Sequence, residues 1–305
     1  TRLEVFERPM NPPIRNMEDL AGRRIAPLLS PYAVVQSDMV RTAPNRGGVA
    51  CLLKTYRYFN NESDVAHAAA RDCAEELVAD GTSLPSVHAA LTFLYLEEYR
   101  EGRNPRQRDP LAAADRSSRL AVELGPESAR AHQARMAVHK VLGETAAARA
   151  AGQKALAFNP YDTDIIADYA AWLISQGDVE EGQQLLRRAE ELFDARPAWV
   201  EVYRYLSAWL LGQDERAHSI ARFLDPGRSQ LLAVVTLIDA AETGDAERAV
   251  EAEQQLQRDD PTLLSEPEAN LRRRGFSPDM AARVADGIRK GQVLARSFTG
   301  NQREK

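Results

Sequence analysis

"LGETAAARAAGQKALAFNP", residues 142–160, carries nothing that looks catalytic, yet its plain wording decides the fold. Gly143 is followed five positions later by Ala148, and the stretch closes on Asn159-Pro160. The phrase then returns. Gly143, Gly177, Gly212 and Gly244 stand 34, 35 and 32 residues apart, and Pro126 and Pro160 are also 34 apart. Five positions after each glycine comes a small residue: Ala148, Gly182, Ala217 and Ala249. A small side chain at a helix crossing lets two backbones approach closely. Glycine ends a helix because it takes the left-handed cap conformation without strain, and proline marks a turn that cannot continue the hydrogen-bond ladder.

A small-residue beat near 34 residues resembles that of tetratricopeptide helix pairs. The expected fold is all-α: a tetratricopeptide-type right-handed solenoid of about five helix pairs with an irregular N-terminal arm. The arm covers residues 1–45, where Pro9, Pro12, Pro13, Pro27, Pro31 and Pro44 break any regular repeat. Repeats are expected over 46–264, capping helices over 265–292, and a polar tail over 293–305. Ser83 or Ser86 is the expected cap of the helix in "SLPSVHAALTFLYLEEYREG", and Ser277 with Pro278 should open the last one. Trp199, Val202, Tyr203, Leu206, Trp209 and Leu210 share one helix face. With Trp172 they read as repeat core rather than as binding hot spots.

The 305 residues carry 39 basic and 45 acidic side chains, a net charge of −6. That balance disfavours direct nucleic-acid binding, which wants a basic face. No run approaches the ~18 apolar residues of a membrane span. Residue 1 is Thr and no secretory signal opens the chain, so it is expected to be a piece of a longer one.

Several stretches carry a more specific resemblance: "DCAEELVADG", "ALTFLYLEEYREGRNPRQRDPL", "AHQARMAVHKVLGE", "ALAFNPYDTDIIADYA" and "LRRRGFSPDMAARVADGIRKG". Together they resemble the tetratricopeptide C-terminal region of bacterial signalling proteins with a TolB-like domain just upstream. The likeness runs from about Leu20 to Gly291, with "LAGRRIAPLLSPYAVV" similar to the closing helix of the TolB-like domain. It implies a non-enzymatic sensory or docking module that binds a protein or peptide, or self-associates. The alternative it implies is the regulatory region of a larger enzyme, a class III adenylate or guanylate cyclase, whose catalytic domain lies outside this chain. It further implies a bacterial cytoplasmic setting by default, or the periplasm if the full-length protein is membrane-anchored through a segment absent here. Gly125 departs from the acidic residue common at that place in the repeat, and the repeat at 198–226 closes early at Asp225-Pro226.

No catalytic constellation stands out. Ser30 and Ser229 lie outside any G-x-S-x-G elbow, and "NRGGVA" lacks the lysine of a phosphate loop. Adjacent acids such as Glu97-Glu98, Glu180-Glu181 and Glu190-Glu191 point ~100° apart on a helix, and read as solvated faces. His132 and His139 sit two turns apart without an obvious third ligand, so neither a metal nor a cofactor is expected. Cys51 and Cys73 lie equally far from a turn centred near Glu62. Composition favours two buried thiols; a disulfide is the alternative if the Cα atoms come within ~7 Å.

What remains is a surface. The first helices of stacked pairs line the concave side of a solenoid. The helical phase places Arg130, Gln133, Lys140, Asp164, Asp168 and Ser175 there as candidate readers of a partner. The row mixes signs, so a guest with a single charged terminus is not an obvious match.

Overall fold

In the computed structural model, residues 47–60, 63–192 and 197–303 are described, with side chains to residue 300. The N-terminal arm, Ser30, Glu62 and the TolB-like stretch lie outside them. The described residues are all helical, forming fifteen α-helices and one short 3-10 turn without a strand among them. Twelve helices make six consecutive pairs: α1 (Gly48–Asn60) with α2 (Asp64–Ala79), α3 (Pro85–Glu101) with α4 (Pro110–Leu124), and α5 (Ala129–Leu142) with α6 (Thr145–Phe158). α7 (Thr163–Gln176) pairs with α8 (Val179–Leu192), α9 (Ala198–Leu210) with α10 (Asp214–Ala221), and α11 (Gln230–Thr243) with α12 (Ala246–Asp259). Two short helices, α13 (Thr262–Ser265) and α14 (Pro267–Arg273), lead into the long α15 (Pro278–Arg303).

Each first helix packs on its own partner and on the next first helix, while each second helix also touches the first helix that follows. α15 takes the first-helix place of a seventh unit, lying against both α11 and α12. The count of six rather than about five pairs has a simple cause. α1 and α2 join without a glycine stop of the repeating kind, so the beat in the sequence undercounts them.

Local chemistry sets the ends. Side-chain oxygens of Ser63, Asp109, Ser128, Asp162, Ser229 and Asp245 accept amide hydrogen bonds that would otherwise be unmet in the first turns of α2, α4, α5, α7, α11 and α12. Gly143 and Gly177 close α5 and α7 at φ 73° and 104°, conformations in which a Cβ is strained. The small residues five positions on are all buried. At Gly182 a Cβ would meet Ile174 Cγ1 at 2.6 Å and the Ala170 carbonyl at 2.8 Å, so α7 and α8 can close only over glycine.

Three expectations need correction, and one departure from the repeat pattern finds its reason. α3 starts at Pro85 with Leu84 as its cap residue, and neither Ser83 nor Ser86 caps it; proline's fixed φ supplies the first turn instead. Gly125 answers to packing, since a Cβ there would stand 2.6 Å from Pro85 Cγ. Helix α15 runs on through residues 293–303 rather than giving way to a polar tail at 293, and Ala295 is fully buried. Glu98 is no solvated face either. Its side chain is buried against Arg71 at 2.8 Å, and it also accepts the Arg106 amide at 3.1 Å. Glu97 beside it accepts the Tyr58 hydroxyl at 3.1 Å.

The core changes character along the stack. From Ala167 to Ala295 one continuous aliphatic cluster joins α7 through α15. Smaller, separate clusters fill the stack from α1 to α7. Trp172 is fully buried, whereas Trp199 and Trp209 are half-buried against the large cluster.

Candidate binding face

The row read from the sequence falls on α5 and α7, neighbouring first helices, and most of it meets in one network. Arg130 grips Asp162 through Nη2 at 2.9 and 2.7 Å, and its Nη1 reaches Asp164 and the Gln133 carbonyl oxygen. Gln133 Nε2 donates to Asp164 at 3.3 Å and to Asp168 at 3.2 Å. Lys140 Nζ completes the line on Asp168 at 3.0 Å. Gln133 and Ser175 are both buried, but Ser175 stands apart because its hydroxyl donates back to the Ala171 carbonyl at 2.8 Å. Its carbonyl oxygen, not its side chain, faces a neighbour.

The network sets two cations against three carboxylates. Burial pushes the Asp164 carboxyl up, and Asp162 and Asp168 add to the rise against the pull of Arg130. Arg130 moves the other way from its own desolvation: burial disfavours its charge, but Asp162 and Asp164 outweigh it and hold the guanidinium charged. The face is therefore braced from within by its own opposite charges. Asp162 escaped the sequence reading because its visible duty is to cap α7, where its Oδ1 takes the Asp164 and Ile165 amides. The signal was there in Asp-Thr-Asp directly after a turn, which places two carboxylates at one helix start.

A second feature lies far away in sequence. The turn Arg274–Ser277, between α14 and α15, crosses this same set of first helices. Arg274 reaches Glu101 at the end of α3 at 3.3 Å and Gln230 at the start of α11 at 2.6 Å. Gln176 of α7 donates to the Gly275 carbonyl at 2.8 Å, and the Ser277 amide donates to the Ser175 carbonyl at 2.9 Å. The Phe276 ring stacks on Tyr203 of α9, centroids 6.4 Å apart and planes at 18°. Beside the turn a cavity of about 310 Å³ is lined by His139, Lys140, Thr145, Trp172, Gln176 and Arg272 among others. The segment falls within the capping helices expected over 265–292, and nothing in its residues marks contacts as distant as Glu101.

The remaining candidates are engaged elsewhere. His132 Nε2 lies 2.8 Å from the Pro126 carbonyl and its ring stacks on Phe158, while His139 meets Glu144. Among the described residues no group of three or more His, Cys, Asp or Glu gathers in a metal-holding arrangement. No described helix is long and apolar enough to cross a membrane. Cys51 of α1 and Cys73 of α2 form a disulfide with Cα atoms 5.4 Å apart. The structure thus holds the bridged alternative, not the free thiols that composition favoured. No protein-family model matches the chain, and no curated protein matches it.

Proposed function

We propose that this chain is a non-catalytic protein-interaction module, a tetratricopeptide-type right-handed solenoid whose concave, first-helix face holds a segment of a partner protein. In this reading it is the docking or sensory part of a bacterial signalling protein, and its effector domain lies outside the chain. One observation carries it: a stretch of polypeptide from a distant part of the sequence already lies across four first helices, held through its backbone by Ser175 and Gln176. Main-chain hydrogen bonds of that kind suit a surface that recognises chains. The nearest-neighbour contacts of six successive pairs and the glycines spaced 34, 35 and 32 residues apart support the solenoid part of the reading.

The test is partner capture from native lysate by the wild type and by two charge-reversed variants, Arg130→Asp/Lys140→Glu and Asp164→Lys/Asp168→Lys. Melting curves check that each variant folds. A specific partner should be lost from at least one folded variant. Retention of every specific partner by both would rule out this face.

A further inference from the structure

We infer that the first-helix face is a receptor for a particular chemistry, an Arg-Gly-aromatic-Ser turn, and that the chain's own Arg274–Ser277 occupies it as an internal ligand. A partner carrying the same turn then competes with it. The inference rests on the reading of this face as a binding surface and adds what the guest must look like.

Each residue of the turn meets a matching feature. On the first helices the Arg274 guanidinium meets Glu101 through Nη1 at 3.3 Å and Gln230 through Nη2 at 2.6 Å; Asn270, four residues earlier in α14, takes its Nε at 2.8 Å, and Asp260, just past α12, its Nη2 at 3.3 Å. A planar fork with five donors fits that set of two carboxylates and two amides, and a lysine ammonium would not. Gly275 sits at φ 92°, with its would-be Cβ toward the Lys140 carbonyl, so a side chain there is strained. Phe276 is 6% exposed and lies parallel to Tyr203, a flat slot that rewards an aromatic ring over an aliphatic one. Ser277 donates its amide to the Ser175 carbonyl, and its hydroxyl oxygen accepts from the Met280 amide, 3.4 Å away, opening α15.

Two aspects of the arrangement favour a displaceable ligand over a permanent strut. Glu101 and Gln176 belong to helices far from α15 in sequence, and their bonds to the turn sit at its polar edge. The cavity of about 310 Å³ beside the turn leaves room for chain that continues past it.

The probe is a fluorescent synthetic peptide with the sequence of residues 266–280, titrated into the full-length chain and followed by anisotropy. Arg274→Ala weakens the internal ligand. Because apparent affinity scales with the fraction of open sites, the peptide should bind this variant about tenfold more tightly than the wild type. A peptide with alanine at the positions of Arg274 and Phe276 should not bind, and Tyr203→Ala in the receptor should weaken the native peptide. Equal binding of both peptides, or no binding by an Arg274→Ala chain that melts like the wild type, would overturn the inference.

Should that variant fail to melt cooperatively, the wild type decides. Saturating peptide must speed hydrogen exchange at the Ser277 amide, and unchanged exchange under bound peptide refutes the proposal. A dimer of Arg274→Ala chains that excess peptide dissolves would assign the slot to a second copy instead. A native partner that protects Tyr203 and Gln176 but is not displaced by the peptide would leave the binding face standing and end the claim about the turn.

Discussion

The two ends of the stack are held by different means. At α1–α4, Arg71 and Glu98 pair almost out of reach of water, a disulfide ties α1 to α2, and the loop after α3 is fastened by Arg103 to Asp64 and Arg106 to Glu75. At α9–α15, aliphatic side chains form one cluster, and glycines let α15 lie directly on α11. The difference follows from composition. α2 is rich in alanine and charged residues, whereas α11 is apolar over most of its length and is covered by α9, α12 and α15. Where little apolar area is available, specific bonds must supply the cohesion. Where it is plentiful, shape is enough.

Substitutions should separate the two ends, and the largest effect belongs to the polar one. Arg71→Met strands the Glu98 carboxylate, whose side chain is 0% exposed. It should cost about 3–5 kcal/mol in denaturant unfolding. The double variant Arg71→Met/Glu98→Leu should recover most of that loss, since an apolar pair of similar size needs no charge partner. A single variant as stable as the wild type would remove the pair from the account.

Next comes the disulfide. Its cysteines are 22 residues apart, so in the chain-entropy view Cys51→Ala/Cys73→Ala should lose about 3 kcal/mol. Hydrogen exchange should place the loss in α1 and α2 and leave α11 and α15 protected. Loss spread evenly over the stack would erase the contrast between the ends.

At the other end, a single added methyl should matter. A Cβ on Gly291 would stand 2.5 Å from Leu237 Cγ and 2.6 Å from its carbonyl oxygen. Gly291→Ala should therefore cost about 1–3 kcal/mol through overpacking, measured by thermal melting. The same change at Gly300, where nothing lies within 4 Å, should be neutral or slightly stabilising.

The smallest effect is a pH dependence. Burial raises the Asp260 carboxyl, but hydrogen bonds from Thr262 and Asn270 and the charge of Arg274 outweigh it and hold it below its ordinary 3.8. A depressed acid adds stability that is present above its unfolded value and lost as pH falls through its folded one. Asp260→Asn should thus lie below the wild type above pH 4 and converge with it in stronger acid. Parallel stability curves across that range would mean the carboxylate is not held as described.

Much of this was legible in the residues, and the exceptions share a cause. Glycine stops and oxygen caps act within one turn of helix, so Gly143, Gly177 and Ser277 announced helix ends directly. The row on α5 and α7 followed from helical phase alone, although Ser175 turned inward and Asp162 was passed over. Phase does not reveal pairing between elements. Arg71 and Glu98 lie 27 residues apart and Arg274 and Glu101 lie 173 apart, distances at which only the stacked helices decide who meets. Gly287 and Gly291 misled for a related reason. Nothing in their polar stretch marks them as contact points, yet they are small because Ile238 and Leu237 press against them.

The account depends most on the turn that crosses the first helices, and the Ser277 amide reports on it directly. Ser277 lies between two helices and outside both, so an untethered turn would exchange its amide hydrogen at the rate of an open loop. Bonded to the Ser175 carbonyl at 2.9 Å, the amide should exchange slowly in the intact chain and speed up in Arg274→Ala. Open-loop exchange in the wild type would contradict the seated turn and the receptor face built upon it.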